Sequence, residues 1–287
     1  MSKVKIGIIQ STAAKEPAKN HEKAILRIRQ AARRGAKIIC LQELYQTLYF
    51  CQTENHRYFE YAESVKGSSM ADFSQLAAEL EVVLIIPFFE RRAAGVYHNS
   101  AAVIDADGTV LGIYRKMHIP DDPNFYEKFY FTPGDLGFKV FETRYGRVSV
   151  LICWDQWYPE AARIAALKGA QILFYPTAIG WHDADKKAAA SQKAAWETIQ
   201  RAHAVANGVF VASPNRVGRE GKLNFWGRSF ISSPFGTTLA AAGEKKEEIL
   251  LAVCDLDQIE SVRQHWPFLR DRRIDAYSPI SSRFLDD

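Results

Sequence analysis

Residues 148–167, VSVLICWDQWYPEAARIAAL, constrain the fold more than any other stretch of the chain. Val148, Val150, Leu151 and Ile152 are bulky and mostly β-branched, as suits a strand covered on both faces. Beyond Cys153 the pattern changes: Ala161, Ala162, Ile164, Ala165 and Leu167 recur at helical spacing, and Pro159 suits a first helical turn. The stretch reads as a buried strand that ends in a cysteine at the start of a helix. Open α/β sheets place their ligands beyond the carboxyl ends of such strands, and helix amide dipoles there lower a thiol's pKa. Cys153 is therefore a candidate nucleophile. The plain alternative is that cysteine, one of the most buried residue types, simply packs.

The rest of the chain repeats this alternation. Val4 to Gln10 is a predicted strand; Asn20 is placed to cap a helix whose Ala24, Ile25, Ile28, Ala31 and Ala32 share a face, and Gly35 ends it. A strand over Lys37 to Gln42 stops at Glu43. Ser69 to Glu81 is helical in pattern, and VVLIIPFF after it is a buried strand. Asn99 to Asp105 and Thr109 to Tyr114 form a hairpin across Asp107 and Gly108, with Lys116 just past its second strand. Residues 117–136 have no period and read as a functional loop. A second hairpin over Gly137 to Cys153 leads into the Cys153 helix. Beyond it come a strand at Ile172 to Pro176, a helix from about Lys187 to Asn207 and a strand at Val209 to Asn215. Short strands at Phe230–Pro234, Thr237–Ala240 and Ile249–Asp255 resemble a meander before a final helix near Leu256 to His265. Two strand–helix–strand units joined to hairpins imply an α/β protein with two mixed sheets, each backed by helices, facing one another. No linker or charge shift divides residues 1–287, so one domain is expected.

Composition excludes several classes. Charged residues at 24% and apolar ones at 47% are ordinary globular values. A net charge of +4, with scattered basic residues, gives no reason to expect nucleic acid. The longest strongly apolar run, Val82 to Phe89, is too short to cross a bilayer as a helix, and MSKVKIGIIQ reads as a first strand rather than a leader. Cys40, Cys51, Cys153 and Cys254 show no CxxC spacing, which fits a reducing cytoplasm better than a zinc ribbon or a disulfide framework. The seven histidines form no HxH or HExxH pattern, so neither a metal nor any other cofactor is expected.

Glu43, Lys116 and Cys153 each follow a predicted strand, and strand ends on one sheet edge converge. A carboxylate that accepts the thiol proton, a thiolate that attacks an electrophilic carbon and an ammonium that supports the developing negative charge make a complete hydrolytic set. Singly, Glu43 and Lys116 read as solvated side chains; only the combination argues for catalysis. A cysteine–histidine pair using His98 or His118 is the competing arrangement.

LQELY, YRKMHIPDD and LICWDQWYPEAAR occur in order, and around these three motifs the chain resembles the nitrilase, or carbon–nitrogen hydrolase, superfamily. The resemblance extends from KIGIIQ to DRRIDAY. It implies an α-β-β-α sandwich with Glu43, Lys116 and Cys153 as the catalytic residues. It also implies Glu127, in NFYEKFYFTPGD, as a supporting carboxylate that positions the lysine and the substrate. Subunits of the superfamily pair through helices, so a homodimer or higher homo-oligomer is expected, with the segment from about 256 as a contacting tail.

CWDQWYPEAAR, YPTAIGW, RAHAVANGVFVASPNRVG, FWGRSF and WPFLRDRRIDAY resemble the branch that hydrolyses N-carbamoylputrescine to putrescine, carbon dioxide and ammonia in the agmatine route to polyamines. The expected partner is thus a small cationic ureido substrate. Tyr49, Phe50, Trp154 and Trp181 are candidates to line an apolar channel, and Asp121, Asp122, Asp183 and Asp185 to meet the distal ammonium. The PTAIGWHDAD loop holds acids and no arginine, which favours a cation over a carboxylate. β-Ureidopropionase, ω-amidase and nitrilase chemistry use the same three residues and remain alternatives. A catalytically silent binding protein on the same scaffold is the alternative outside that class.

Overall fold

A short, wholly apolar strand paired in parallel on both sides, Ile38–Cys40 in one half and Ile172–Phe174 in the other, forms the centre of each half of the molecule. The computed structural model describes residues 3–182 and 188–285. In the first half the chain runs β1 (Lys3–Gln10), α1 (Pro17–Arg33), β2 (Ile38–Cys40), α2 (Ser68–Leu80), β3 (Val83–Ala93), β4 (Val96–Ile104) and β5 (Val110–Arg115). A two-stranded ribbon, β6 (Asp121–Asp122) and β7 (Phe125–Tyr126), interrupts the loop after Lys116. The second half repeats the theme with β8 (Phe141–Thr143), β9 (Gly146–Val150), α3 (Pro159–Leu167), β10 (Ile172–Phe174), β11 (Gly180–His182), α4 (Ala189–Asn207) and β12 (Phe210–Ser213). Then follow β13 (Val217–Glu220), β14 (Leu223–Trp226), β15 (Phe230–Ser232), β16 (Thr238–Ala241), β17 (Glu248–Asp255) and α5 (Asp257–His265).

One six-stranded sheet has the order β17-β1-β2-β3-β4-β5 and the other β16-β15-β12-β10-β9-β8. In each, the middle strands are parallel and the outer ones antiparallel. Side-chain alternation along β3 decides what faces what. Val83 and Ile85 share a core with Val148, Val150 and Ile172 of the other sheet, whereas Leu84, Ile86 and Phe88 pack with Ile28, Phe73 and Leu76 of α1 and α2. The result is the expected α-β-β-α sandwich of two mixed sheets flanked by helices. Among the described residues no helix is long and apolar enough to cross a membrane.

Four expectations need correction. Asn20 lies inside α1 and does not cap it, because Pro17 starts the helix three residues earlier. Its buried side chain instead bonds the Ala14 N–H (2.7 Å) and the carbonyls of Ala14 and Gln46. The terminal strands are not one meander: β15 and β16 pair, but β17 leaves them to run antiparallel to β1. The segment after Cys153 is a 3-10 turn, Cys153–Trp157, and α3 begins only at Pro159. β11, β14 and β13 form a third, three-stranded sheet that the sequence reading did not resolve, since Gly and Asn interrupt its apolar pattern.

Asn20 ties the loop before α1 to the loop after Glu43. Asn20→Ala strands the Ala14 N–H and is expected to cost about 1–3 kcal/mol in urea denaturation, at an unchanged slope. A loss below about 0.5 kcal/mol would show that these bonds hold nothing.

Candidate active site

Glu43, Lys116 and Glu127 are all buried, at 0%, 0% and 1% exposure, and meet at one ammonium. Lys116 Nζ donates to Glu43 Oε1 at 2.9 Å and to Glu127 Oε2 at 2.7 Å. Each group is held by main chain beyond its strand. Lys116 follows β5; its N–H donates to the Asn99 carbonyl and its own carbonyl accepts from the Gly134 N–H, both at 2.8 Å. Only glycine fits at 134, because a Cβ there would collide with the Arg115 carbonyl. Glu43 lies three residues past β2. The guanidinium of buried Arg216 fixes that turn by donating to the Glu43 and Leu44 carbonyls, at 3.1 and 2.6 Å, and to the Thr47 carbonyl at 2.9 Å. Glu127 opens a short 3-10 turn after the β6–β7 ribbon.

The carboxylate oxygens of Glu43 are unequally used. Oε1 accepts from Lys116 and from Asn99 Nδ2 (2.7 Å), whereas among the described residues Oε2 accepts only the Ala178 N–H, at 2.8 Å. Oε2 thus keeps a lone pair for a proton. Glu127 Oε1 accepts from the Tyr49 hydroxyl at 2.7 Å.

Cys153 occupies the left-handed region at φ +45°, unusual for a residue with a side chain. Two anchors hold it there. Its N–H donates to the Pro176 carbonyl at 3.0 Å, and Asp155 Oδ2 accepts the Ile152 N–H at 2.9 Å. Asp155 is fixed in turn by the Tyr114 hydroxyl (2.7 Å) and the His118 N–H (3.0 Å).

Electrostatics separate the three groups. Burial alone would lower the Lys116 pKa, but Glu127 and Glu43 outweigh it and keep the ammonium charged well above its ordinary range. Burial raises Glu127 to about 7, against the pull of Lys116. The Cys153 thiol is pushed well up, first by burial and then by the Glu43 carboxylate, with Lys116 compensating only in part. The expectation that helix dipoles lower this pKa is therefore corrected: only a single 3-10 turn begins at Cys153, and burial with the Glu43 carboxylate outweighs the Lys116 ammonium.

Cys153 opens on a cleft of about 740 Å³. Trp154, Trp157, Ile179, Trp181 and Phe125 supply its apolar walls. Of the other candidates, Asp122 lines the cleft and Asp121 does not. Tyr49 is not in the cleft wall; it stands behind Glu127, and Phe50 packs in a separate aromatic cluster with Phe89 and Tyr130. Asp183 and Asp185 lie outside the described residues. Neither His98 nor His118 lines the cleft: His98 Nδ1 is bonded to the Thr132 carbonyl and His118 Nδ1 to Asp155, with the ring stacked on Tyr158. Asn99, Asp155, Arg216 and the Ala178 amide were not singled out from sequence. Each acts through a long-range bond to another group, and nothing in its local pattern marks it.

The chain matches the family model described as carbon-nitrogen hydrolase over residues 5–264. It is 45% identical to an N-carbamoylputrescine amidase of Oryza sativa subsp. japonica, over 97% of this chain and 95% of that one. It is 41% identical to a citrullinase of Francisella tularensis subsp. tularensis, over 99% and 100% of the two chains. The fold superposes on a carbon-nitrogen hydrolase structure from Helicobacter pylori G27 with a TM-score of 0.95 and 48% identity, covering 99% of this chain and 100% of that one. The chain belongs to the carbon-nitrogen hydrolase family. It is a hydrolase acting on carbon–nitrogen bonds other than peptide bonds.

A thiol held neutral by its surroundings reacts slowly with an alkylating agent. At about pH 7.5, iodoacetamide is expected to modify Cys153 more slowly than free cysteine. In Glu43→Gln the profile should move to lower pH, because a negative neighbour is removed. A profile that stays in place or moves upward would contradict the account of the thiol.

Proposed function

We propose that the chain hydrolyses N-carbamoylputrescine to putrescine, carbon dioxide and ammonia, as a single carbon–nitrogen hydrolase domain. Glu43 Oε2 takes the Cys153 proton as the sulfur adds to the ureido carbon. The developing oxyanion is met by the Lys116 ammonium and by the Trp154 N–H, which sits in the first turn of its 3-10 segment, where amides lack an intrahelical partner. Collapse of the adduct expels one nitrogen, protonated by Glu43, and leaves Cys153 acylated. Water deprotonated by the same carboxylate then cleaves the thioester-like bond. Glu127 holds the second side of Lys116, so that the ammonium does not move when Glu43 becomes neutral.

The observation that carries the choice of substrate is the charge of the cleft. Among the described residues its walls include Asp122 and Glu127 but neither lysine nor arginine. A tetramethylene chain ending in an ammonium suits apolar and aromatic walls with an acid near the mouth. The identity to a plant N-carbamoylputrescine amidase supports the same reading. The citrullinase relative supports a second one, since L-citrulline carries the same ureido group. Among the described residues these walls offer no lysine or arginine to its α-carboxylate or to that of N-carbamoyl-β-alanine.

The tail beyond α5 exposes Trp266, Phe268, Ile274, Ile280 and Phe284. This apolar surface supports pairing with a second copy of the chain.

Ammonia and putrescine release should give N-carbamoylputrescine a kcat/KM at least about tenfold above L-citrulline, N-carbamoyl-β-alanine or a simple nitrile, a difference of about 1.4 kcal/mol. Equal or better turnover of any of these overturns the substrate assignment and leaves the site standing. Cys153→Ala should lower turnover by about a thousandfold or more while the melting curve stays cooperative. Glu43→Gln should inactivate comparably and His118→Ala should not; the reverse outcome would replace the carboxylate base with a histidine.

A further inference from the structure

Tyr49 lines a second cavity, whose walls do not include Cys153. This second cavity, of about 590 Å³, is closed by Tyr49 and Glu220 at its base, by Tyr58 and Tyr61 as aromatic walls, and by Lys15, Arg57 and Lys222 among its lining residues. Among the described residues no ion pair joins any of these three cations to a carboxylate. Glu220, the acid in the wall, is already committed: Arg216 Nη1 donates to its Oε1 at 2.8 Å and the Tyr49 N–H to its Oε2 at 2.7 Å. Three unneutralised cations around one concavity attract an anion, and more than one negative charge is needed to match them.

The base of this cavity is continuous with the groups that hold the catalytic carboxylates. The Tyr49 hydroxyl bonds Glu127, and the Arg216 that grips Glu220 also grips the Glu43 and Leu44 carbonyls. A second connection runs through β13 and β14. Their turn, Gly221–Lys222, lines the second cavity, where the Lys222 N–H donates to Gln52 Oε1 at 3.0 Å. The far end of β14 supplies Trp226 to the wall of the catalytic cleft, and its Phe225 meets the Tyr49 ring at 5.7 Å, edge to face. A ligand that draws Lys222 and Arg57 together therefore pulls on both anchors of the site.

We propose that this cavity is an effector site for a small molecule with two or more negative charges, phosphate or carboxylate, and that its occupant alters turnover through Tyr49 and Glu220. The site is separate from the ureido cleft and does not depend on which ureido compound is hydrolysed.

Calorimetric titration of the full chain with pyrophosphate and, separately, citrate tests binding and distinguishes phosphate from carboxylate sources. At least one of them should bind with a Kd below about 1 mM, more weakly as salt is raised. The exposed triple variant Lys15→Glu, Arg57→Glu, Lys222→Glu should keep basal turnover and lose about tenfold or more in affinity. No binding of either anion up to about 10 mM, or equal binding by the variant, overturns the site. At saturating anion, kcat or KM should shift by about twofold or more in the wild type. In Tyr49→Phe, which keeps the N–H bond to Glu220 but loses the one to Glu127, binding should persist and the kinetic shift should shrink. Binding without any shift in the wild type, or an undiminished shift in Tyr49→Phe, overturns the effector role.

Discussion

A fully buried ammonium clamped between two buried carboxylates is the interaction that the rest of the structure has to support. Ion burial is costly, and attraction between the partners offsets that cost only when the remaining lone pairs and protons are also satisfied. Lys116 supplies one positive charge to Glu43 and Glu127, so the cluster carries an excess of negative charge when both acids are ionised. The protein answers with neutral donors placed from far along the chain: the Asn99 amide and the Ala178 N–H on Glu43, and the Tyr49 hydroxyl on Glu127. Where these donors do not suffice, the acid yields, and burial lifts Glu127 to about 7.

The two-sheet architecture explains how such remote residues meet. Glu43 and Lys116 follow strands of one sheet, whereas Cys153 follows a strand of the other, whose neighbour β10 leads directly to Ala178. The main-chain bond from Cys153 to Pro176 keeps those two segments in register. Cys153 shares its left-handed φ, +45°, with four other non-glycine residues of the described chain, Leu44 next to Glu43 among them, and a ring of bonds centred on Asp155 holds it. β17 pairs with β1 and so ties the end of the second half to the start of the first.

Much of this was legible in the sequence. The apolar runs at Val83–Phe89 and Val148–Ile152 mark covered strands because both of their faces are buried, and the motif around Cys153 marked the candidate nucleophile. Glu43 and Lys116 were legible only together, since each alone resembles a solvated side chain. Asn20 was misread because a local rule, asparagine before an apolar stripe, competes with Pro17 for the start of the helix. Arg216 and Asp155 were missed for a different reason. Their partners lie 172 positions away at Leu44 and 41 positions away at Tyr114, and no local period records such contacts. Tyr49 was expected to touch the substrate. It stands one layer back, a difference of depth that composition cannot express.

The raised thiol pKa then has a chemical meaning. A permanent thiolate would be open to oxidation and to reaction with any electrophile entering the cleft. Here burial and the Glu43 and Glu127 carboxylates disfavour the Cys153 thiolate, so in the proposed mechanism sulfur becomes nucleophilic as its proton leaves for Glu43 Oε2. Neutralising Glu43 removes one of the charges that had disfavoured the thiolate, so transfer becomes easier as it proceeds. Lys116 loses one of its two ionised partners at the same moment and keeps only Glu127, so less of its charge is offset as an oxygen acquires negative charge. In the proposed mechanism one proton transfer thereby activates the nucleophile and strengthens the oxyanion site together.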